Sequence, residues 1–364
     1  MEDNYKNLPT FHFSKEISSH HEKNSLRGLM FGNFGAMNQG DEAILAGEIQ
    51  ELQKIPDVTI TAVGRFPEEI RRLHGIAGVS LYAWGAVIRE IYKSDFVVVG
   101  GGGLINKPER GAIGFLYQLY ILFLFFLVPL LFKKKLYVLG VGIYNNASSF
   151  ILNLVLLLLK KASIVTVRDE HSYDLLQARN VSARLYKDNS FLMELLPVSQ
   201  VHSDAFFKKH YRKGNMQGKM QIGISLLKPE NKEEEEHLLH ELAEYISRQN
   251  AVADFWFYSL DNNPSYFNDE SFGGLLYEAV LNLGVKDLCF NFVPANWPPQ
   301  EIFSSFKLMD YIITMRLHGM IFAYRNGVPF TGISYDKKCA SFLRSIGKEP
   351  VEIKSLTQKD LIEV

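Results

Sequence analysis

Cysteine is almost absent from this 364-residue chain, which holds Cys289 and Cys339 and no others. Two lone thiols give neither a disulfide framework nor a spaced metal motif, so a reducing compartment fits. The ten histidines show no ligand spacing either, so no metal site is expected, and no cofactor is called for. An excess of one charge is also missing: 39 Lys and Arg stand against 40 Asp and Glu, a formal net charge of -1 at pH 7. Without a global field nothing argues for nucleic acid as a partner, and an anionic ligand must be held by a local cluster. The opening residues, MEDNYKNLPTFHFSKEISSHHEKN, lack the apolar core of a signal peptide. Residues 1–25 therefore read as a flexible lead to a cytoplasmic protein.

Composition is otherwise ordinary for a globular protein, 47% hydrophobic and 22% charged, and the length exceeds what one core of usual size needs. Short β-branched runs alternate with longer helical patterns throughout, the signature of parallel α/β architecture. Strands are expected at 26–33, 58–64, 96–102, 136–143 and 163–169, and again at 221–227, 255–260, 288–293, 311–315 and 330–336. Each set of five suffices for one doubly wound sheet. Between the sets the alternation lapses into polar sequence. The expected organisation is one Rossmann-like domain over 26–200, a linker over 201–220 and a second Rossmann-like domain over 221–364. Two such domains facing a cleft would bind ligand at the carboxyl ends of their strands.

Two apolar runs stand out. Residues 115–132, FLYQLYILFLFFLVPLLF, carry one polar amide, Gln118, and lead straight into Lys133, Lys134 and Lys135; ILNLVLLLLKK repeats the feature at 151–161. As a helix the first run would be about 27 Å long, close to a bilayer core. It lies between two strands of the expected first sheet, however, and a membrane span there would separate them. It is therefore expected to be a crossover helix with its outer side covered. The cover is either protein, a homo-oligomer contact included, or a membrane surface whose anionic headgroups meet the lysines. The acidic run NKEEEEH at 231–237 reads as a solvated first helical turn.

FGNFGAMNQGDEAIL at 31–45 is a glycine-punctuated turn from a strand into a helix. Gly32, Gly35 and Gly40 permit tight turns and close backbone approach, and Asn38 or Asp41 can cap the helix. Free N–H groups at such a terminus suit phosphate or carboxylate. The spacing departs from the dinucleotide fingerprint, which argues against NAD; a structural turn is the plain alternative. VVVGGGGLIN at 97–106 ends a buried strand in four glycines. Something approaches the backbone at Gly101, Gly102 and Gly103, either a ligand, with Asn106 at hand, or a packed helix. LGVGIYNN at 139–146 is a weaker version of the same turn. In TVRDEHSYDLL at 166–176, Arg168 ends a strand and Asp169 is placed to cap the next helix. An anion contact and an Arg–Asp structural pair both fit Arg168, and Asp188 downstream reads as a cap or turn.

MRLHGMIFAYRNGVPFTGISYDKK at 315–338 is the most informative segment. Arg316 and His318 are two apart and share a face in extended backbone. Gly319 opens a helix whose N-terminus adds positive potential. The following strand ends at Tyr335, Asp336, Lys337 and Lys338. Parallel neighbours end side by side, so His318 and a lysine of that group can converge. RRLHG at 71–75 echoes the string, but no apolar strand leads into it and it reads as coincidence.

In this order, GNFGAMNQGDEAIL, VVVGGGGLIN, VRDEHSYDLL and RLHG…GVPFTGISYDKK resemble the polysaccharide pyruvyl transferases, over about residues 29–340. The resemblance implies two Rossmann-type domains arranged as in GT-B glycosyltransferases, phosphoenolpyruvate as donor, and a pyruvate ketal on a cell-surface glycan or its lipid-linked precursor. It puts the family's arginine on Arg168, its acid/base histidine on His318 and its lysine on Lys338, with Arg316 a further donor contact and Tyr335 beside them. Phosphoenolpyruvate concentrates negative charge on few atoms, which converging Arg and Lys groups would meet. A histidine titrating near neutrality suits the proton steps. Two other readings stay open: a glycosyltransferase with a nucleotide-sugar donor, and a non-catalytic scaffold of a polysaccharide assembly complex.

Overall fold

The β-branched runs form strands of two all-parallel sheets in a computed structural model that describes residues 4–21, 23, 25–105, 111–143, 149–197, 218–263 and 268–362. The chain divides into two units. One comprises Asn7–Ala36 and Asp41–Glu194; the other comprises Met1–Lys6, Met37–Gly40 and Leu195–Val364. Most of the expected linker, 201–217, lies outside the described residues.

The first unit contains β1 (Leu26–Phe34), β2 (Val58–Gly64), β3 (Ala77–Ser80), β4 (Phe96–Val99), β5 (Gly102–Ile105), β6 (Lys135–Ile143), β7 (Ile164–Val167) and β8 (Arg184–Leu185). Their order is β3-β2-β1-β4-β6-β7-β8, with β5 also paired to β6. The period of two decides what β4 does. Val97 and Val99 enter one core with the helices Trp84–Lys93, Gly111–Leu122, Ser149–Leu159 and Glu170–Ala178, whereas Phe96 and Val98 enter another beneath the helix Gln39–Leu52. All four β4 residues are buried, as a central parallel strand between helical layers must be. The five expected strands are present. β3 (AGVS) and β5 (GGLI) lack the β-branched run that marks β4 and β7, and β8 is two residues long.

The segment expected as a flexible lead is structured over its described part. It forms the helices Asn4–Asn7 and Ser14–Ser19 and buries Phe11, Phe13 and Ile17 in the core under Gln39–Leu52. Its polar composition concealed that these residues supply enough apolar area to dock. The apolar run expected as a crossover is one: Gly111–Leu122 continues through a π-helical turn, Phe123–Leu127, into Val128–Leu131. It connects β5 to β6, which are paired in one sheet, so it does not span a membrane.

The second unit contains β9 (Met220–Ser225), β10 (Ala253–Tyr258), β11 (Phe290–Val293), β12 (Tyr311–Thr314), β13 (Phe330–Ser334) and β14 (Val351–Glu352), in the order β11-β10-β9-β12-β13-β14. The acidic run starts the helix Lys232–Gln249, capped by Asn231, whose side chain accepts the Glu233 N–H at 2.8 Å. Strand order reverses between β1 and β4 in the first sheet and between β9 and β12 in the second. Ligands collect beyond the carboxyl ends of strands at such switch points. The 31–45 turn, the glycine run and the Arg316–His318 segment all begin there.

Candidate functional site

In the second unit β12 is followed by Arg316, the N-cap of the helix Leu317–Asn326, with His318 in the first turn. Gly319 is required at this bend, because a Cβ there would overlap Thr314 Oγ1, the atom that accepts the Arg316 N–H at 3.2 Å. β13 pairs with β12 and leads to Asp336, whose carboxylate caps the helix Lys337–Ser345 by accepting the Cys339 N–H at 2.9 Å. His318 and Lys338 thus start helices beyond adjacent strands, the placement expected from sequence. Lys338 Nζ lies 3.2 Å from Asp336 Oδ2 and 5.5 Å from the Tyr335 ring centroid.

Residues 37–40 of the first glycine-punctuated turn belong to this same unit. The Gln39 N–H donates to the Leu260 carbonyl at 2.8 Å, and the Asn262 N–H donates to the Met37 carbonyl at 2.9 Å. Gln39 Nε2 reaches the carbonyls of Ala295 and Trp297 at 3.0 and 3.2 Å, and Asn38 Nδ2 donates to Asp261 Oδ2 at 3.0 Å. Met37 takes a left-handed φ of 62°. Next in line, Gly40 abuts the His318 imidazole: a Cβ there would run into Nδ1 and its ring neighbours. The glycine of one motif is bare because the histidine of another occupies its side-chain space.

Arg316 is occupied differently from the expected donor contact. Its Nε donates to Asp269 Oδ2 at 3.0 Å, a terminal nitrogen donates to Asp269 Oδ1, and Asp261 Oδ2 lies 3.6 Å away. Burial disfavours the guanidinium charge, but the two carboxylates more than offset it and hold the pKa above the ordinary arginine value. Burial pushes the Asp269 carboxyl up to about 6 against the pull of Arg316, and Asp261 adds to the rise. The Arg316 charge is thus met by the protein's own acids, neither of which the sequence reading singled out. Asn38, Asp261, Arg316 and Asp269 form one chain of contacts beside His318.

In the first unit Arg168 follows β7 and is buried with Asp188, Nη1 to Oδ2 at 2.6 Å. This is an Arg–Asp structural pair, with Asp188 as the partner. Asp169 caps its helix as expected, accepting the Ser172 N–H at 2.8 Å. Asp188 also accepts the Ser190 N–H at 2.8 Å. Beside it, Asn189 Nδ2 donates to Glu48 Oε1 at 2.6 Å, and the Gly101 N–H approaches the same oxygen at 3.3 Å. Glu48 is wholly buried. Burial pushes its carboxyl up to about 8 against those two hydrogen bonds, and Asp188 adds to the rise.

The glycine run is explained in large part by a packed helix. A Cβ on Gly100 would strike Glu48, and one on Gly101 would lie 3.1–3.4 Å from the Gly140 carbonyl and Ile44. Gly102 has a φ of 101° and would place a Cβ 3.1 Å from Asp41 Oδ1. Asp41 in turn accepts from Asn33 Nδ2 at 2.7 Å. Gly103 is exposed, and Asn106 lies outside the described residues. Gly35 adopts a φ of 61° against the Phe66 carbonyl, a structural turn. In the RRLHG echo, His74 is buried 2.8 Å from the Glu42 carboxylate and Gly75 is a left-handed C-cap. Among the described residues no group of three His, Cys, Asp or Glu could hold a metal.

Compared with known families, the chain matches polysaccharide pyruvyl transferase over residues 38–337. No curated protein sequence matches it. Among solved structures, a UDP-GlcNAc 2-epimerase from Methanocaldococcus jannaschii, in complex with UDP-GlcNAc and UDP, is similar at a TM-score of 0.55 and 13% identity, covering 93% of this chain and 91% of that one. A glycosyltransferase from Rickettsia africae ESF-5 gives a TM-score of 0.55 at 12% identity, with 93% and 87% covered. UDP-GlcNAc 2-epimerase from Neisseria meningitidis gives 0.53 at 11% identity, with 85% and 82% covered. At such identities the likeness is one of fold, two parallel-sheet α/β domains of the GT-B-like kind.

Proposed function

The chain belongs to the polysaccharide pyruvyl transferase family, and on that premise we propose that it moves pyruvate from phosphoenolpyruvate onto a hydroxyl pair of a glycan sugar, free or on a lipid-linked precursor, as a ketal. Membership makes it a transferase. Donor, acceptor and residue roles are the proposal. A lipid-linked precursor would be met at the inner face of the cytoplasmic membrane.

The observation that carries the reading is Gly40 against His318. A side-chain space surrendered to one imidazole favours a histidine whose position matters. In the proposed reaction His318 delivers a proton to the methylene carbon of the enol while a sugar hydroxyl attacks the substituted carbon. Phosphate then leaves and the second hydroxyl closes the ring. One hydroxyl proton replaces the proton that His318 gave to the new methyl group, and the other leaves with phosphate. Lys338 is the proposed cation for the donor, while Arg168, which the motif match also marks, is met by Asp188 within the first unit. Each close charge contact is worth up to about 4 kcal/mol before desolvation. Arg316, tied to Asp261 and Asp269, holds the turn that carries His318.

The test is incubation of purified protein and acceptor glycan with phosphoenolpyruvate or with UDP-GlcNAc. Phosphate release and a glycan gaining pyruvate, with the first donor alone, is expected; UDP release would give the protein to the glycosyltransferase reading. His318→Ala should lower kcat by about 10²–10⁴ with thermal unfolding unchanged, and full activity there would remove the acid/base role. Gly40→Ala should lower kcat by about 10–100-fold with little change in KM, because it displaces the ring rather than a donor cation.

A further inference from the structure

The helices Trp84–Lys93, Gly111–Leu131 and Ser149–Leu159 lie on one face of the first sheet, since Val87, Leu122 and Val155 enter the same core. They also touch one another: Phe115 and Phe150 pack with ring centroids 6.2 Å apart, and Tyr92 meets Phe132 edge-on at 5.8 Å. A helix so apolar would ordinarily be covered, yet only 33% of the most apolar window of Gly111–Leu131 is buried. Trp84, Tyr92, Leu116, Leu131, Phe150 and Leu157 are 59–68% exposed. Single exposed apolar residues are commonplace; a contiguous group on three adjoining helices marks an interaction surface.

Charge selects the partner. The two longer helices run into Lys133, Lys134 and Lys135 and into Lys160 and Lys161, and no Asp or Glu occurs in 111–143 or 149–167. Lys134 and Lys135 donate to the carbonyls of Tyr92, Ser94 and His20, which leaves Lys133, Lys160 and Lys161 as the cations offered. In a two-fold contact with a second copy these would confront one another, and the one acid of the third helix, Glu90, is already met by Lys93 at 2.9 Å. Anionic lipid headgroups over an apolar layer match both features, with Trp84 and Tyr92 suited to the interface between them. We propose that the outer side of this helical layer seats the protein on an anionic membrane surface, lying along it and not crossing it. Crossing is excluded by the pairing of β5 with β6 at the two ends of the longest helix.

The experiment is flotation of the full-length protein with vesicles of phosphatidylcholine containing phosphatidylglycerol, beside vesicles of phosphatidylcholine alone. The protein should float with the anionic vesicles and much less with the neutral ones. Leu116→Glu combined with Phe150→Glu should lower the bound fraction at least about tenfold, and Lys133→Glu with Lys160→Glu and Lys161→Glu should erase the preference for anionic lipid. A second readout leaves the apolar and basic residues intact: brominated lipid should quench wild-type tryptophan fluorescence, and Trp84→Phe should remove most of that quenching. Wild-type protein that stays at the bottom of the gradient with anionic vesicles overturns the proposal. So does a dimer that the Leu116→Glu and Phe150→Glu pair dissociates in the absence of any flotation. The assay contains neither donor nor glycan, so its outcome is independent of the proposed reaction.

Discussion

Arg168 and Arg316 stand at matching places in the two units. Each follows the carboxyl end of a strand inside a parallel sheet, precedes a helix and is paired with a buried acid. They differ in how the pairing is built. Arg168 meets Asp188 at 2.6 Å, and the same acid caps Ser190. Arg316 meets Asp269 through two nitrogens and has Asp261 at 3.6 Å as well. A strand-end arginine in such a sheet is engaged by the chain's own carboxylates before any ligand arrives. What distinguishes the second unit is therefore not its arginine but the histidine two residues later, with Gly40 cleared against its ring.

The comparison can be broken from the acid side. Asp188→Ala should cost about 3–5 kcal/mol, the usual loss when one member of a buried ion pair is removed, and urea unfolding measures it. Asp269→Asn keeps the shape and leaves Asp261 beside Arg316, so a smaller loss of about 1–3 kcal/mol is expected by the same measurement. Equal losses would mean that Asp261 does nothing for Arg316, and the distinction between the two units would vanish.

The strands were legible because β-branched runs buried on both faces leave a strong mark, as FVVV at β4 shows. His318 and Lys338 were legible as motif residues at the ends of neighbouring strands. The reason for Gly40 was not, since the atom that excludes its Cβ belongs to a residue far along the chain. Asp261 and Asp269 sit in a polar stretch, DNNPSYFNDE, whose composition reads as a turn or helix cap; only the fold reveals that Arg316 reaches them. Glu48 did leave a trace. It shares a helical stripe with Ile44 and Leu52, both buried, and a carboxylate in an apolar stripe signals either a partner or a retained proton.

That retained proton gives the last and gentlest distinction between the units. In the folded protein the Glu48 carboxyl is pushed up to about 8 from an ordinary value of 4.5. Between those limits the unfolded chain has released the proton and the folded chain still holds it. Stability from this group is therefore full below the lower value, falls as pH rises from about 5 to 8 by roughly 1 kcal/mol per pH unit, and levels off above. Asp269 acts in the same direction, but its pKa of about 6 ends its window lower. Any slope between about 6 and 8 that Glu48→Gln removes thus belongs to the first unit. The substituted amide can still accept from Asn189 and Gly101 through its oxygen, so the fold should persist while the slope flattens. Denaturant unfolding at several pH values in that window checks it, and a Glu48→Gln profile running parallel to the wild type would show that Glu48 is already ionised in the folded chain.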